Sequence, residues 1–396
     1  MEHGMSIAIV TETYPPELNG VALTVERAVR YLRERGHRVG VVRPRQSSDK
    51  GHDHGQEDAM LVHGLPLPRY PGLQFGLPAL LRLLARWRED RPDVVHIVTE
   101  GPLGWSALAA ARQLDIPVTT DYRTHFQKYS GYYRLGPLAG IISAALRAFH
   151  NHSDVTFVPT RALADEMAQI GYRKLACVGR GVDTRLFSPL RRSRQLRTRW
   201  GVGDEHLVVL HVGRLAPEKD PALVRAAFRA IRQLRPDARL VWVGDGPLRA
   251  DLQRADEGKG DAGERFVGIQ RGEDLAMHYA SADLFLFPSL SETFGNVVLE
   301  AMASALPIVA YDIGAAGEHL KDRGAASVVS EADGPEAFIA AARALALQQE
   351  TRRRFAANAC DIAQELAWPL ILGRFEAQLA AFATRQSSIG HVATAA

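Results

Sequence analysis

Apolar residues along this chain fall into two alternating patterns. Short unbroken apolar runs, which suit strands buried on both faces, are separated by longer segments whose apolar positions recur every three or four residues, which suit amphipathic helices. The first half predicts strands at Ser6–Thr11, Arg38–Val42, Asp93–Val98, Pro117–Asp121 and Val155–Val158. Between them it predicts helices at Val21–Arg35, Leu77–Arg88, Gly104–Gln113, Leu138–His150 and Arg161–Ile170. Pro44–Leu67 is polar and aperiodic, and is expected to be a mobile loop. The pattern then restarts after a charged segment, Arg191–Trp200, read as a linker helix. Strands are expected at His206–Val212, Leu240–Val243, Arg265–Val267, Leu284–Phe287, Pro307–Tyr311 and Ala326–Val329. The helices of this half are expected at Pro221–Leu234, Leu248–Ala255, Glu273–Ser281 and Gly295–Ser304, with more from Pro335 to Gln364.

Strand–helix alternation at this spacing means an α/β protein with parallel sheets covered on both faces. The restart divides it into two doubly wound, Rossmann-like domains, 1–190 and 191–366. A last helix spans 367–384, and 385–396, small and polar, reads as a flexible tail. Open parallel sheets bind ligands at the carboxyl ends of their strands. Two such domains facing each other would enclose a deep interdomain cleft, so the residues just after strands are the candidates.

Composition narrows the class. At 396 residues with 46% hydrophobic and 23% charged positions, the chain has the make-up of a globular protein with two cores. No apolar run approaches the ~20 residues of a spanning helix, and no signal-peptide pattern opens the sequence. A cytoplasmic location is expected. Two cysteines, Cys177 and Cys360, build neither a disulfide framework nor a zinc site. His52-Asp53-His54, in the polar stretch, lacks a third fixed ligand and is read as exposed loop, so no metal is expected. The formal charge of +3 points to no nucleic-acid partner. Leu77–Arg88 mixes leucines with Arg82, Arg86 and Arg88; it could rest on an anionic membrane surface, although covering a sheet is the simpler role.

The candidate chemistry clusters after five strands. Thr11–Gly20 ends in a glycine before a helix, where backbone can approach a ligand, and it carries Tyr14 and Asn19. Tyr122, Arg123 and His125 follow Pro117–Asp121, and the imidazole could act as a base or bond a sugar hydroxyl. Arg214 and Lys219 follow Gly213 on one short loop, two cations able to offset a diphosphate. Gly244-Asp245-Gly246-Pro247 is a tight strand-to-helix turn. Glu292 and Glu300, eight residues apart, frame the start of the Gly295–Ser304 helix, whose free N–H groups favour an anion. Acids flanking an anion site suit a ligand with phosphates in its middle and hydroxyl-rich sugars at either side: a nucleotide sugar.

Taken in order, these motifs resemble the retaining GT-B glycosyltransferases of glycosyltransferase family 4. The resemblance rests on Glu292-x7-Glu300 within FPSLSETFGNVVLEAMASALPIVA, on Gly213-Arg214 with Glu218-Lys219, on Gly244–Pro247, on Arg180-Gly181-Val182-Asp183 with Phe187-Ser188-Pro189, and on Pro15-Pro16 with Asn19-Gly20. It spans nearly the whole chain. It departs at Asn19, where many members have a second glycine, and at Ala305, where glycine is frequent.

The resemblance implies the following roles. Arg214 and Lys219 clamp the diphosphate and stabilise the leaving group, Glu300 takes the ribose hydroxyls and Glu292 those of the transferred sugar. Backbone at Phe294, Gly295, Asn296 and Val297 meets the sugar and diphosphate. Gly20, Gly213 and Gly244 allow close approach, and Gly268, Ile269 and Gln270 carry the base. His125 contacts the donor sugar, making His125, Arg214, Lys219 and Glu292 the catalytic set. Tyr14, Asn19, Tyr122 and Arg123 fall on the acceptor side, and the last helix crosses back to the first domain.

The implied reaction is metal-independent, cofactor-free and retaining. It moves a hexosyl group, mannosyl from GDP-mannose in the bacterial members the first domain resembles, to a lipid or glycan hydroxyl at or near the inner membrane surface. UDP-sugar-dependent glucosyl, galactosyl or glucuronosyl transfer is the alternative. A nucleotide-sugar epimerase or a non-catalytic sugar-binding protein stands further off, and a phosphorylase-like enzyme lacks its pyridoxal-phosphate lysine motif.

Overall fold

The computed structural model describes residues 4–15, 17, 20–46, 49, 59–66, 74–123, 138–254 and 263–393. The chain divides into two compact units, one of residues 4–179 and 371 onward, the other of Arg180–Leu370.

The first unit is built on a parallel sheet of β1 (Ser6–Val10), β2 (Arg38–Pro44), β3 (Ala59–Val62), β6 (Val94–Ile97), β7 (Val118–Asp121), β8 (Val155–Val158) and β9 (Leu175–Cys177), in the order β3-β2-β1-β6-β7-β8-β9. β4 (Gly64–Pro66) and β5 (Gln74–Gly76) form a separate antiparallel pair. Helices Gly20–Glu34, Leu80–Glu89, Pro102–Gln113, Leu138–Asn151 and Arg161–Gln169 connect these strands. The central strands are buried end to end because helices cover both sheet faces, and this is why they read as unbroken apolar runs. Leu83, Leu84 and Trp87 of the Leu80–Glu89 helix pack into that core, while Leu81, Arg82 and Arg86 face solvent.

Part of the expected loop at Pro44–Leu67 is strand. Residues 59–62 pair in parallel with β2, Val41 opposite Ala59 and Pro44 opposite Val62, and 64–66 belong to the small hairpin. An edge strand needs only one partner and only half its apolar surface covered, so it shows little periodicity. His52-Asp53-His54 lies outside the described residues.

The second unit repeats the plan with β10 (Val208–Val212), β11 (Arg239–Val243), β12 (Glu264–Gly268), β13 (Leu284–Phe287), β14 (Ile308–Tyr311) and β15 (Ser327–Val329), ordered β12-β11-β10-β13-β14-β15. Its core gathers Trp242, Phe228, Leu240, Leu286 and Phe338. A charged pair is buried beside it: Glu264 accepts from Arg225 Nη2 at 2.7 Å and from Trp242 Nε1 at 2.8 Å, and the same guanidinium donates to Leu252 O. A carboxylate buried under a sheet needs donors in place of water, and Arg225 and Trp242 supply them.

The division between units falls at Gly179/Arg180, earlier than residue 190. Val182 exchanges backbone hydrogen bonds with Leu366 and Trp368, and a side chain at Gly181 would meet Trp368 at 2.7 Å, so this motif is anchored in the second unit. Nor is Arg191–Trp200 a free linker. The Arg194–Arg199 helix buries Arg197, whose guanidinium bonds Asp283, Ser281 O, Gly203 O and His206 O. The last helix runs from Trp368 to Ala393, so most of the expected flexible tail is helical. From Ile371 on it belongs to the first unit, where Phe375 packs edge-on against His96 and Glu376 bonds His37 Nε2 at 2.8 Å. Among the described residues no helix is long and apolar enough to cross a membrane.

Candidate active site

In the second unit the strand order reverses between β10 and β13. Crossovers leave in opposite directions there, which opens a crevice at the strands' carboxyl ends. The loops after β10, β11 and β12 are laced side by side: Gly213 N–H bonds Val243 O at 3.0 Å, Leu215 N–H bonds Asp245 O at 2.9 Å, and Gly244 N–H bonds Gly268 O at 2.8 Å. Gly244 has φ +131°, and a Cβ there would lie 1.9 Å from Gly213 O, so this crossing requires glycine. Pro217–Lys219 forms a single 3-10 turn, which ends at Asp220 in a left-handed conformation (φ +44°). Asp220 then caps the Pro221–Arg232 helix by accepting from Leu223 N–H at 3.0 Å.

That turn delivers Lys219 to Glu292, seventy-three residues away, and the ammonium pairs with Oε1 of the carboxylate. The same oxygen accepts from Ser289 Oγ at 2.8 Å. Ser289 and Ser291 also reach Glu218 O, at 3.4 and 3.3 Å, tying the β13 loop to the β10 loop. Both partners of the ion pair are mostly buried, and the ammonium lies 5.8 Å from the Phe287 ring centroid. Arg214 differs: its side chain is 55% exposed and stands 3.7 Å from Glu218 Oε1, beyond hydrogen-bond distance, so it remains available to a ligand.

Gly295, left-handed at φ +89°, begins the Asn296–Ala303 helix with no side chain capping it, which leaves the helix's first N–H groups to other partners. A Cβ at Gly295 would lie 3.5 Å from Glu292 Cγ, so the carboxylate folds against this positive end. Glu300 lies in the helix's second turn and accepts from Tyr279 Oη at 2.9 Å. Burial raises its pKa from 4.5 to about 7, a rise that the tyrosine bond only moderates. A carboxyl poised there can exist in either protonation state near neutrality, and its ionised form is short of donors.

The other donor-side candidates divide by exposure. Ile269 is 59% exposed at the tip of the loop after β12, and Gln270 is turned inward to Val267 O at 2.8 Å. Asn296 and Val297 are half-buried. Phe294 is buried, and its carbonyl accepts from Ala315 N–H at 2.6 Å. Gly314 permits that bond, since a Cβ on it would lie 2.3 Å from the Phe294 oxygen.

In the first unit Gly20 opens its helix with open space where a side chain would stand. Tyr14 and Tyr122 are buried. Tyr122 packs on His150 and Tyr172, and Tyr14 lies under Arg43, so both rings serve packing. Arg123 is held on Asp121, its Nε at 2.8 Å from Oδ2. Burial pushes the Asp121 carboxyl up, but Arg123 and His96 together hold it well below the usual range. His125 and Asn19 lie outside the described residues.

The structure adds groups that sequence reasoning passed over. Ser289 and Tyr279 hold the two glutamates, yet a serine after a strand and a tyrosine in a helix carry no distinguishing signal. Glu12, after β1, is raised from 4.5 to about 7 by burial, partly offset by the Leu103 N–H, with Glu100 adding repulsion. A Cβ at Gly101 would overlap it at 2.0 Å. Its position after the first strand was the available clue.

Known proteins resemble this chain in sequence and in fold. The family model described as Glycosyltransferase Family 4 matches residues 18–186, and the model Glycosyl transferases group 1 matches residues 206–348. The chain is 36% identical over 318 residues to a GDP-mannose-dependent alpha-mannosyltransferase of Mycobacterium tuberculosis, covering 78% of this chain and 80% of the relative. A protein of the same description from Mycolicibacterium smegmatis is 33% identical over 382 residues, 95% of this chain and 98% of its own. Among solved structures, Anabaena Alr3699/HepE in complex with UDP and glucose superposes with a TM-score of 0.73 at 18% identity, covering 95% of this chain and 100% of that one.

Proposed function

The chain belongs to glycosyltransferase family 4 and has the GT-B fold, and from that premise we propose that it transfers a mannosyl group from GDP-mannose to a hydroxyl of a lipid or glycan acceptor, with retention and without a metal. The observation that carries the reading is the Lys219–Glu292 pair at the uncapped start of the Asn296–Ala303 helix. Without donor, the two charges satisfy each other. A diphosphate draws Lys219 and the exposed Arg214 to its oxygens, and Glu292 is released to accept from sugar hydroxyls. The choice of mannose and guanosine follows the relatives named above.

Breaking the bond between the anomeric carbon and the phosphate leaves negative charge on the diphosphate. Lys219 and the helix N–H groups stabilise that charge in a largely buried setting, where each contributes more than it would in water, and the exposed Arg214 adds its charge from the solvent side. The acceptor hydroxyl attacks from the leaving-group side. Its oxygen bonds the anomeric carbon, and its proton passes to the departing phosphate oxygen. Glu292 then positions the donor and forms no covalent bond to it, unlike the nucleophile of a retaining hydrolase. Glu300 accepts from the ribose hydroxyls. A lipid acceptor would place the protein at the cytoplasmic membrane face, where Leu81, 80% exposed beside Arg82 and Arg86, offers an apolar and basic contact.

A thermal-shift panel of nucleoside diphosphates and their sugars tests the donor, since selective binding to the folded state raises the melting temperature. Stabilisation by GDP and GDP-mannose is expected. Stabilisation by UDP and UDP-glucose alone would move the assignment to a UDP-sugar transferase. Transfer to an acceptor should give the α-anomer by proton NMR and persist in EDTA; an inverted product, or activity lost to EDTA and restored by Mg²⁺, would refute the mechanism.

A further inference from the structure

His211, the fourth residue of β10, is wholly buried, and one of its ring nitrogens has no partner. Nδ1 lies 3.1 Å from Leu286 O. A carbonyl only accepts, so Nδ1 carries the proton and Nε2 presents a bare lone pair. Burial, with a smaller push from the nearby Lys219 charge, holds the pKa down at about 4 against the opposing Leu286 bond. The ring is therefore neutral near pH 7 and its tautomer is set. It is also fixed in place, edge-on to Trp242 at 5.3 Å and stacked on Phe287 at 6.5 Å.

The direction of the lone pair is informative. A Cβ at Gly213 would lie 3.6 Å from Nε2, so the nitrogen faces the loop that carries Arg214 and Lys219. Lys219 stands over the same Phe287 ring that His211 stacks on. An orphaned acceptor thus faces the loop of a lysine whose ammonium, with three N–H donors, is bonded to one carboxylate oxygen, Glu292 Oε1. Buried acceptors without donors are uncommon in folded proteins and call for an explanation.

We propose that His211 is a positioning residue for the diphosphate clamp: its Nε2 accepts a hydrogen bond from the Lys219 ammonium when a nucleoside diphosphate draws that lysine from Glu292. The inference rests on the donor reading above. With a neutral acceptor below and phosphate oxygens above, the ammonium is held between two fixed points. A neutral ring does this without competing for the phosphate charge, whereas a second carboxylate would repel the ligand.

A double-mutant cycle tests it, with GDP and UDP as probes in titration calorimetry. His211→Phe keeps the stacking and removes the lone pair; His211→Gln restores an acceptor near the position of Nε2. His211→Phe is expected to weaken binding of the preferred diphosphate roughly five- to tenfold, with most of the loss recovered in His211→Gln. In a Lys219→Ala background, His211→Phe should change binding less than about twofold. In the unmutated protein, the Nε2 nitrogen-15 resonance should move from a free to a hydrogen-bonded position when the diphosphate is added. An equal loss with and without Lys219, or an unmoved resonance, would overturn the proposal. If the wild type binds neither diphosphate, the donor reading falls and takes this inference with it. If the wild type binds and His211→Phe loses nothing, this inference alone is wrong.

Discussion

Protonation of Glu300 should govern how nucleotide binding responds to pH. Its rise from 4.5 to about 7 corresponds to roughly 3 kcal/mol of penalty on the ionised form. A ribose diol donates two hydrogen bonds, and the carboxylate is the better acceptor of both. Binding should therefore select the ionised form and release a proton. From a pKa near 7, about nine-tenths of the free sites are ionised at pH 8 and about one-tenth at pH 6, so the dissociation constant should rise on the order of tenfold between them. The terminal phosphate of the nucleotide titrates in the same range, so Glu300→Gln is the necessary control. Titration calorimetry of the preferred diphosphate at several pH values, in buffers of different ionisation enthalpy, reads both slope and proton count. Wild type should show a steeper slope than Glu300→Gln and a larger proton release near pH 7. Tyr279→Phe, which removes a donor to the carboxylate, should shift the wild-type profile to higher pH.

Stability has the opposite sign. The unfolded carboxyl loses its proton near 4.5 and the folded one near 7, so this group's contribution is greatest below 4.5 and falls as pH rises to about 7. Free Glu300→Gln should thus gain melting temperature over wild type from pH 5 to pH 8, even as it binds nucleotide less well. Equal binding slopes in the two proteins would refute the reasoning.

Four other perturbations probe the structure. Lys219→Ala should reduce kcat by at least a hundredfold, since comparable charge-stabilising donors contribute on that order, with a smaller change in KM; unaltered turnover in a steady-state assay would remove Lys219 from the clamp. Arg225→Met leaves the Glu264 carboxylate buried with only the Trp242 donor, and should cost about 3–5 kcal/mol in urea denaturation; a loss under about 1 kcal/mol would contradict the buried-pair account. Ala305 holds a left-handed φ of +50°, so Ala305→Gly should stabilise by up to about 1 kcal/mol, and a lower melting temperature would show that the methyl packs usefully. Glu12 is also raised to about 7, so the melting temperature of Glu12→Gln relative to wild type should climb from pH 5 to pH 8, and a pH-independent difference would mean the carboxyl is not held protonated.

The strands were legible to within a residue or two because each central strand is covered on both faces and admits little but apolar residues. β3 and β9 were missed because edge strands are only half covered. The Arg194–Arg199 segment misled for a different reason. A buried arginine reads as a solvated charge until Asp283, more than eighty residues on, is known to meet it. The glutamates, Arg214 and Lys219 could be selected because each lies just after a strand or at a helix start. Their partners could not. His211 sits inside an apolar run, and Tyr279 approaches Glu300 from another helix.

Strand order explains why these particular residues meet. β10 and β13 are neighbours although β11 and β12 lie between them in the chain. The loop after β10 supplies cations and the loop after β13 supplies a carboxylate, and reversal of the winding direction leaves a crevice where the two loops converge. No local propensity encodes that adjacency. It follows from right-handed crossovers, which send the chain first outward through β11 and β12 and then back across β10 to β13. A substitution that weakens β10–β13 pairing should therefore separate Lys219 from Glu292 with neither residue altered, whereas one at the β12 edge should leave their pairing intact.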